Sequence, residues 1–212
     1  MSEKQQPVFD ATDTALALID YQDGVLDLIF EQDRRVIELN TRYLAKFAQA
    51  VGIPVVLSTV GVEMGVNGPT IKTIRAELPG VEEIDRSQMN AWEDAKFVNA
   101  IKATGRKKIV MAGIVTSVCL TFPAISAIAD GYDVAFVADA VGDATKEIHD
   151  TSVLRLVQAG AVPVTTIAAM AEWFRDWKSP LADAARELWV PYKEEWAALK
   201  RNPQFVEPKG LV

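Results

Sequence analysis

The chain has 212 residues, 50% of them hydrophobic and 24% charged, with a formal net charge of −7. That length and apolar share suffice for a sizeable core and exclude wholesale disorder. The acidic balance disfavours a nucleic-acid partner, and no apolar run is long enough to span a bilayer.

Residues Met1 to Thr12 read as a loose polar arm, without the apolar core of a signal peptide. Thr14 to Ile19 is an apolar run that stops at Asp20-Tyr21-Gln22-Asp23-Gly24, the pattern of a central parallel strand opening into a polar loop. A helix follows from about Arg34 to Val51, closed by Gly52, and Ile53 to Thr59 is a second strand. Val60 to Pro69 is a glycine-containing loop, Thr70 to Leu78 a short helix and Val81 to Asp85 a brief strand. After the loop Arg86 to Trp92, a helix spans Glu93 to Thr104. Ile109 to Ala112 reads as a buried strand ended by Gly113, and from Ser117 the apolar spacing turns helical as far as Gly131. Tyr132 to Ala138 (strand), Lys146 to Ala159 (helix) and Ala161 to Ile167 (strand) complete the pattern. The tail from Ala168 is helical in pieces, with Pro180 and Pro191 at or near helix starts. Arg201 to Val212 reads as an extended arm.

Strands alternating with helices at this spacing imply an α/β fold with a parallel sheet, and no linker or repeat divides it. In such sheets ligands bind beyond the carboxyl ends of the strands, where Asp20, Thr59, Arg86, Cys119 and Asp139 all fall. Cys119 is the only cysteine, which excludes an intramolecular disulfide and fits a reducing, cytoplasmic setting. It is placed in the first turn of a helix, where backbone N–H groups and the helix dipole favour a thiolate. The competing reading is a small buried hydrophobe. Asp20, ending an apolar strand, is the best candidate base, against the alternative that it caps a loop. His149 is the only histidine, so a zinc site or a histidine-based triad is disfavoured. No G-x-G-x-x-G or Walker A pattern is present, and no cofactor is expected.

The blocks Leu16 to Gln22, Ile109 to Cys119 and Gly131 to Ala140 together resemble the isochorismatase-like cysteine hydrolases, in that family's order and spacing, over about residues 14–167. Met89-Asn90-Ala91-Trp92-Glu93-Asp94 and the long C-terminal extension resemble the YcaC-type branch. The resemblance implies a Rossmann-like three-layer α/β/α fold around six parallel strands, with a helical C-terminal extension over about 168–212. It implies Cys119 as nucleophile and Asp20 as its acidic partner. The family's lysine falls on Arg86 here, a departure that keeps the positive charge but cannot relay a proton near neutral pH. It further implies a cis peptide at Val115-Thr116, with the N–H groups of Thr116 and Cys119 forming the oxyanion site. Gln22, Asn90 and Trp92 are the expected pocket residues, with no metal. The activity implied is hydrolysis of a small amide or carbamoyl compound through a thioester. The alternative is a catalytically weak or inactive ring-forming assembly or binding protein on the same fold. YcaC-like relatives imply a homo-octamer of two tetramer rings; the tail tryptophans Trp173, Trp177, Trp189 and Trp196 either supply apolar surface for subunit contact or pack on their own domain.

Overall fold

The computed structural model describes residues 8–205. Six strands form one parallel sheet: β1 (Thr14–Ile19), β2 (Val55–Val60), β3 (Glu83–Arg86), β4 (Lys108–Gly113), β5 (Asp133–Val137) and β6 (Val162–Val164). Their order across the sheet is β3-β2-β1-β4-β5-β6. β1 is buried along its whole length and pairs with β2 on one side and β4 on the other, with Ile19 opposite Gly113. This explains why both strands are continuous apolar runs: neither face meets water. The chain leaves β1 toward one edge and later returns to build the other, so the topological switch lies between β1 and β4. Asp20 and Cys119 follow those two strands.

The helices are α1 (Asp23–Leu26), α2 (Arg34–Ala50), α3 (Lys72–Arg75), α4 (Ala95–Ala103), α5 (Thr121–Ala129), α6 (Lys146–Gln158), α7 (Thr166–Phe174) and α8 (Ala182–Lys200). Polar side chains set their starts. Asp33 accepts from Arg35 N–H, Asp94 from Phe97 N–H and Thr145 from Ile148 N–H. Asp139, one of the strand-end residues, is occupied at the start of α7, where it accepts from the N–H and hydroxyl of Thr166.

Three expectations for the chain ends are corrected. The N-terminal stretch is not loose throughout: Phe9 is fully buried, its N–H bonded to Glu172, and Lys108 Nζ reaches Val8 O. Residues 1–7 lie outside the described residues, as do 206–212 of the expected C-terminal arm, while 202–205 form a turn. Pro191 sits inside α8 rather than at a helix start. Its place is on an exposed stretch with Trp189 and Val190, where water can serve the backbone carbonyl that proline leaves without a donor. Finally, Trp173 is 1% exposed and stacks on Phe47, so it packs the interior, whereas Trp177 and Trp189 are exposed. α8 is held on α2 by an edge contact between Tyr192 and Tyr43 and by Glu195 with Arg42 and Tyr43.

Candidate active site

Asp20 ends β1 in a left-handed conformation, φ 62°, which few residues other than glycine adopt and aspartate tolerates better than most. The residue is completely buried. Its Oδ2 accepts from Arg86 Nη2 at 2.5 Å, an ion pair with both side chains at zero exposure. Arg86 is fixed at its other terminal nitrogen by Gln88 O. Asp20 Oδ1 is buried without a hydrogen-bond partner among the described residues, and the Cys119 thiol is one of the groups that act on the Asp20 carboxyl.

Cys119 lies not in an ordinary first turn but in a single wide turn, Thr116–Leu120, with hydrogen bonds to the fifth residue back, which leads into α5. Such π-type turns are concentrated at functional sites. The loop is anchored from three sides. Thr116 N–H donates to Gly142 O, Ser117 N–H donates to Asp143, and the Thr116 hydroxyl meets His149 Nδ1 at 2.9 Å. Gly113 lets this loop close on β1, since a Cβ there would stand 3.1 Å from Ile19 Cβ and 3.3 Å from Cys119 O.

The electrostatics run against a resting thiolate. Burial and then the Asp20 charge push the Cys119 thiol well above its ordinary range, only partly offset by Arg86 and by the Val115 N–H directed at the sulfur. Burial pushes Asp20 up to about 6, opposed by Arg86 and the thiol. The expected stabilisation at a helix N-terminus is therefore outweighed by burial beside a carboxylate. At neutral pH the proton sits on sulfur and Asp20 is the acceptor next to it.

Two expectations about the oxyanion site are corrected. The cis peptide is Ile114-Val115, one residue earlier than Val115-Thr116. Thr116 N–H is consumed by Gly142 O, and the N–H that faces the sulfur belongs to Val115.

A cavity of about 310 Å³ opens over Cys119. Its walls are Gly24, Val25 and Leu28 around α1, Val60, Gly61, Met64, Val66 and Asn67 at and after the end of β2, Ser87 and Met89, and Val115 and Val118 beside the cysteine. Gln22, Asn90 and Trp92 do not line it. Gln22 is buried and brackets the loop after β2: it accepts from Val60 N–H and donates to Val60 O and Gly68 O. Asn90 caps the turn Ala91–Glu93 and bonds Ser126. Trp92 donates to Asp130 and packs edge-on against Tyr132 and Phe97. Gln22 thus supports the cavity wall, while Asn90 and Trp92 pack the start of α4 against α5 and Tyr132.

The sequence reading missed Met64, Val66, Met89 and Val118 as wall residues, and Asp85 as the staple of the loop. Asp85 accepts from Val62 N–H, Glu63 N–H and the Thr59 hydroxyl. The only signal in the sequence was the glycine-containing loop beyond β2. Among the described residues, no group of three or more His, Cys, Asp or Glu side chains is placed to hold a metal ion. No described helix is long and apolar enough to cross a membrane.

Fold, switch-point location and the aspartate–arginine–cysteine cluster define a class, and comparison with known proteins agrees: the chain belongs to the isochorismatase family, whose Isochorismatase domain matches residues 14–168. Within that family it is 37% identical over 177 residues to the probable hydrolase YcaC of Escherichia coli strain K12, covering 83% of this chain and 85% of the relative. The crystal structure of the E. coli YcaC gene product, an octameric hydrolase of unknown specificity, superposes with a TM-score of 0.83 at 34% identity, covering 93% and 98% of the two chains. YcaC from Pseudomonas aeruginosa, solved with hexane-2,5-diol and covalent acrylamide, gives 0.81 at 30% identity, covering 94% and 99%.

Proposed function

We propose that this chain is a cysteine hydrolase that cleaves a small amide or carbamoyl C–N bond through a thioester on Cys119. The observation that carries the proposal is that Cys119 is at once a wall of the cavity and the neighbour of a buried carboxylate with a raised pKa. A group meant to accept a proton near neutral pH needs that kind of tuning.

In the proposed cycle Asp20 takes the thiol proton as sulfur attacks the carbonyl carbon, and the electron pair of the C=O moves onto oxygen. The Val115 N–H, together with the Cys119 N–H, holds that oxyanion. Collapse breaks the C–N bond, and Asp20 returns the proton to the departing nitrogen. Water then loses a proton to Asp20 and attacks the thioester, releasing the acid and restoring the thiol. For a primary amide the sum is amide plus water giving carboxylic acid plus ammonia. Arg86 carries no proton in this scheme. It keeps Asp20 ionised and balances the negative charge as it passes between carboxylate, sulfur and oxyanion.

The covalent acrylamide of P. aeruginosa YcaC supports the reading, because it shows a neutral amide-bearing electrophile reacting with a relative. The test is ammonia release across a panel of small amides. Turnover by the wild-type protein that is lost in Cys119→Ala supports the hydrolase; turnover that survives the substitution refutes it.

A second reading is favoured by the arginine in place of lysine and by the high-lying thiol: a ring-forming assembly that has lost turnover. Both readings share one domain over the chain, a cytoplasmic location and an octamer of two tetramer rings. The octamer is supported by the assembly of E. coli YcaC and by the exposed Trp177, Trp189 and Val190 around α8.

A further inference from the structure

The walls of the cavity hold more information than the nucleophile does. Of the side chains facing it, none is ionisable except Cys119 itself. Arg86, which precedes the wall residue Ser87, has a wholly buried side chain already divided between Asp20 and Gln88 O. Asp20, beside the sulfur, is paired with that arginine and does not itself line the cavity. A ligand carboxylate or phosphate would thus lose its hydration with no counter-charge to meet it, and a ligand ammonium would fare no better. The remaining surface is aliphatic or thioether: Val25, Leu28, Val60, Met64, Val66, Met89 and Val118, with Asn67 and Ser87 as the polar exceptions. At about 310 Å³ the space holds roughly ten water-sized groups, which is a small molecule and not a peptide.

We infer that the cavity selects uncharged amides bearing a short aliphatic acyl chain, with the carboxamide at Cys119 and the alkyl group along the Met64, Val66 and Met89 rim. This inference names the substrate class and so rests on the hydrolase reading above. Asn67 and Ser87 are the polar groups within the cavity that can orient the amide. Each methylene that moves from water onto the aliphatic wall raises kcat/KM by about fourfold, until the cavity is full.

The experiment has two arms, read on the full-length protein. In the first, ammonia release is measured for acetamide, propanamide, butanamide and pentanamide, and for the shape-matched pair 4-methylpentanamide and succinamate. Expected are a stepwise rise of about fourfold per methylene and at least about a tenfold deficit for succinamate. Val66→Lys, at a wall position 68% exposed, is expected to narrow that deficit by supplying the missing cation while lowering turnover of the alkyl amides. In the second arm, the alkylation rate of Cys119 by iodoacetamide is compared with that by iodoacetate, each normalised to a free cysteine peptide. Expected is a preference for the neutral reagent. If amides are hydrolysed with a flat or reversed preference, the inference is overturned while the hydrolase stands. If no amide is hydrolysed yet the neutral preference of alkylation holds, the hydrolase reading fails and the cavity's selectivity for neutral ligands is upheld.

Discussion

Asp20 and Cys119 act on each other's protonation beside the cavity, and the Arg86 guanidinium opposes the rise that burial imposes on both. With Asp20 pushed up to about 6, its acceptor form fills in as pH rises through that value. The acid limb of kcat/KM is therefore expected near pH 6, falling about tenfold per pH unit below it. Arg86 opposes the rise, so Arg86→Gln moves the limb to higher pH and lowers the plateau, while Arg86→Lys leaves the limb close to its place. A pH–rate profile of the three proteins measures this, and a limb unmoved in Arg86→Gln contradicts the role assigned to the guanidinium. Asp20 and Cys119 were legible in the sequence because each follows an apolar run, and Arg86 because the resemblance puts the family's lysine at its position. Their protonation was not. It depends on complete burial and on mutual contact, which no local pattern encodes, and so the thiolate expected from a helix N-terminus gave way to a thiol.

The elements around the site act by fixing two loops. Gln22 makes three hydrogen bonds to Val60 and Gly68, at the two ends of the loop that forms one cavity wall, and Asp85 makes two to that loop and one to Thr59 in β2. Gln22→Ala leaves buried backbone groups without partners and is expected to cost about 1–3 kcal/mol. Because the wall moves while Cys119 keeps its place, KM rises more than kcat falls; thermal melts and steady-state kinetics check the two halves. Gly113→Ala would push a methyl against Ile19 and the cysteine turn, with an expected loss of about 1–3 kcal/mol and a lower kcat. Wild-type melting and kcat in that variant would contradict the close approach. At this scale the sequence read well wherever burial was periodic: β1 and β4 fall where their apolar runs lie. It read poorly where tertiary partners decide. The wide turn at Cys119 rests on what Gly142, Asp143 and His149 supply from elsewhere, and the interior Pro191 on solvent.

Over the whole molecule, the six-stranded sheet brings residues 20, 86 and 119 to one end from three strands, across the switch between β1 and β4. Apolar side chains left outside that sheet, Trp177, Trp189 and Val190 among them, are expected to be covered in the proposed octamer. Sedimentation equilibrium of the wild-type chain should give eight copies, with Val190→Lys or Trp189→Lys shifting the mass downward; a monomer at micromolar concentration contradicts the assembly. Trp173, which the composition of the tail suggested for the same surface, stacks on Phe47 in the interior and belongs to folding instead. The central claim, an acyl group carried on Cys119, is tested most directly by partitioning. An amide and an ester with the same acyl group are turned over in the presence of hydroxylamine, and the hydroxamate-to-acid ratio is measured. A shared thioester predicts one ratio for both substrates, because the leaving group has gone before the nucleophiles compete; a ratio that changes with the leaving group contradicts it.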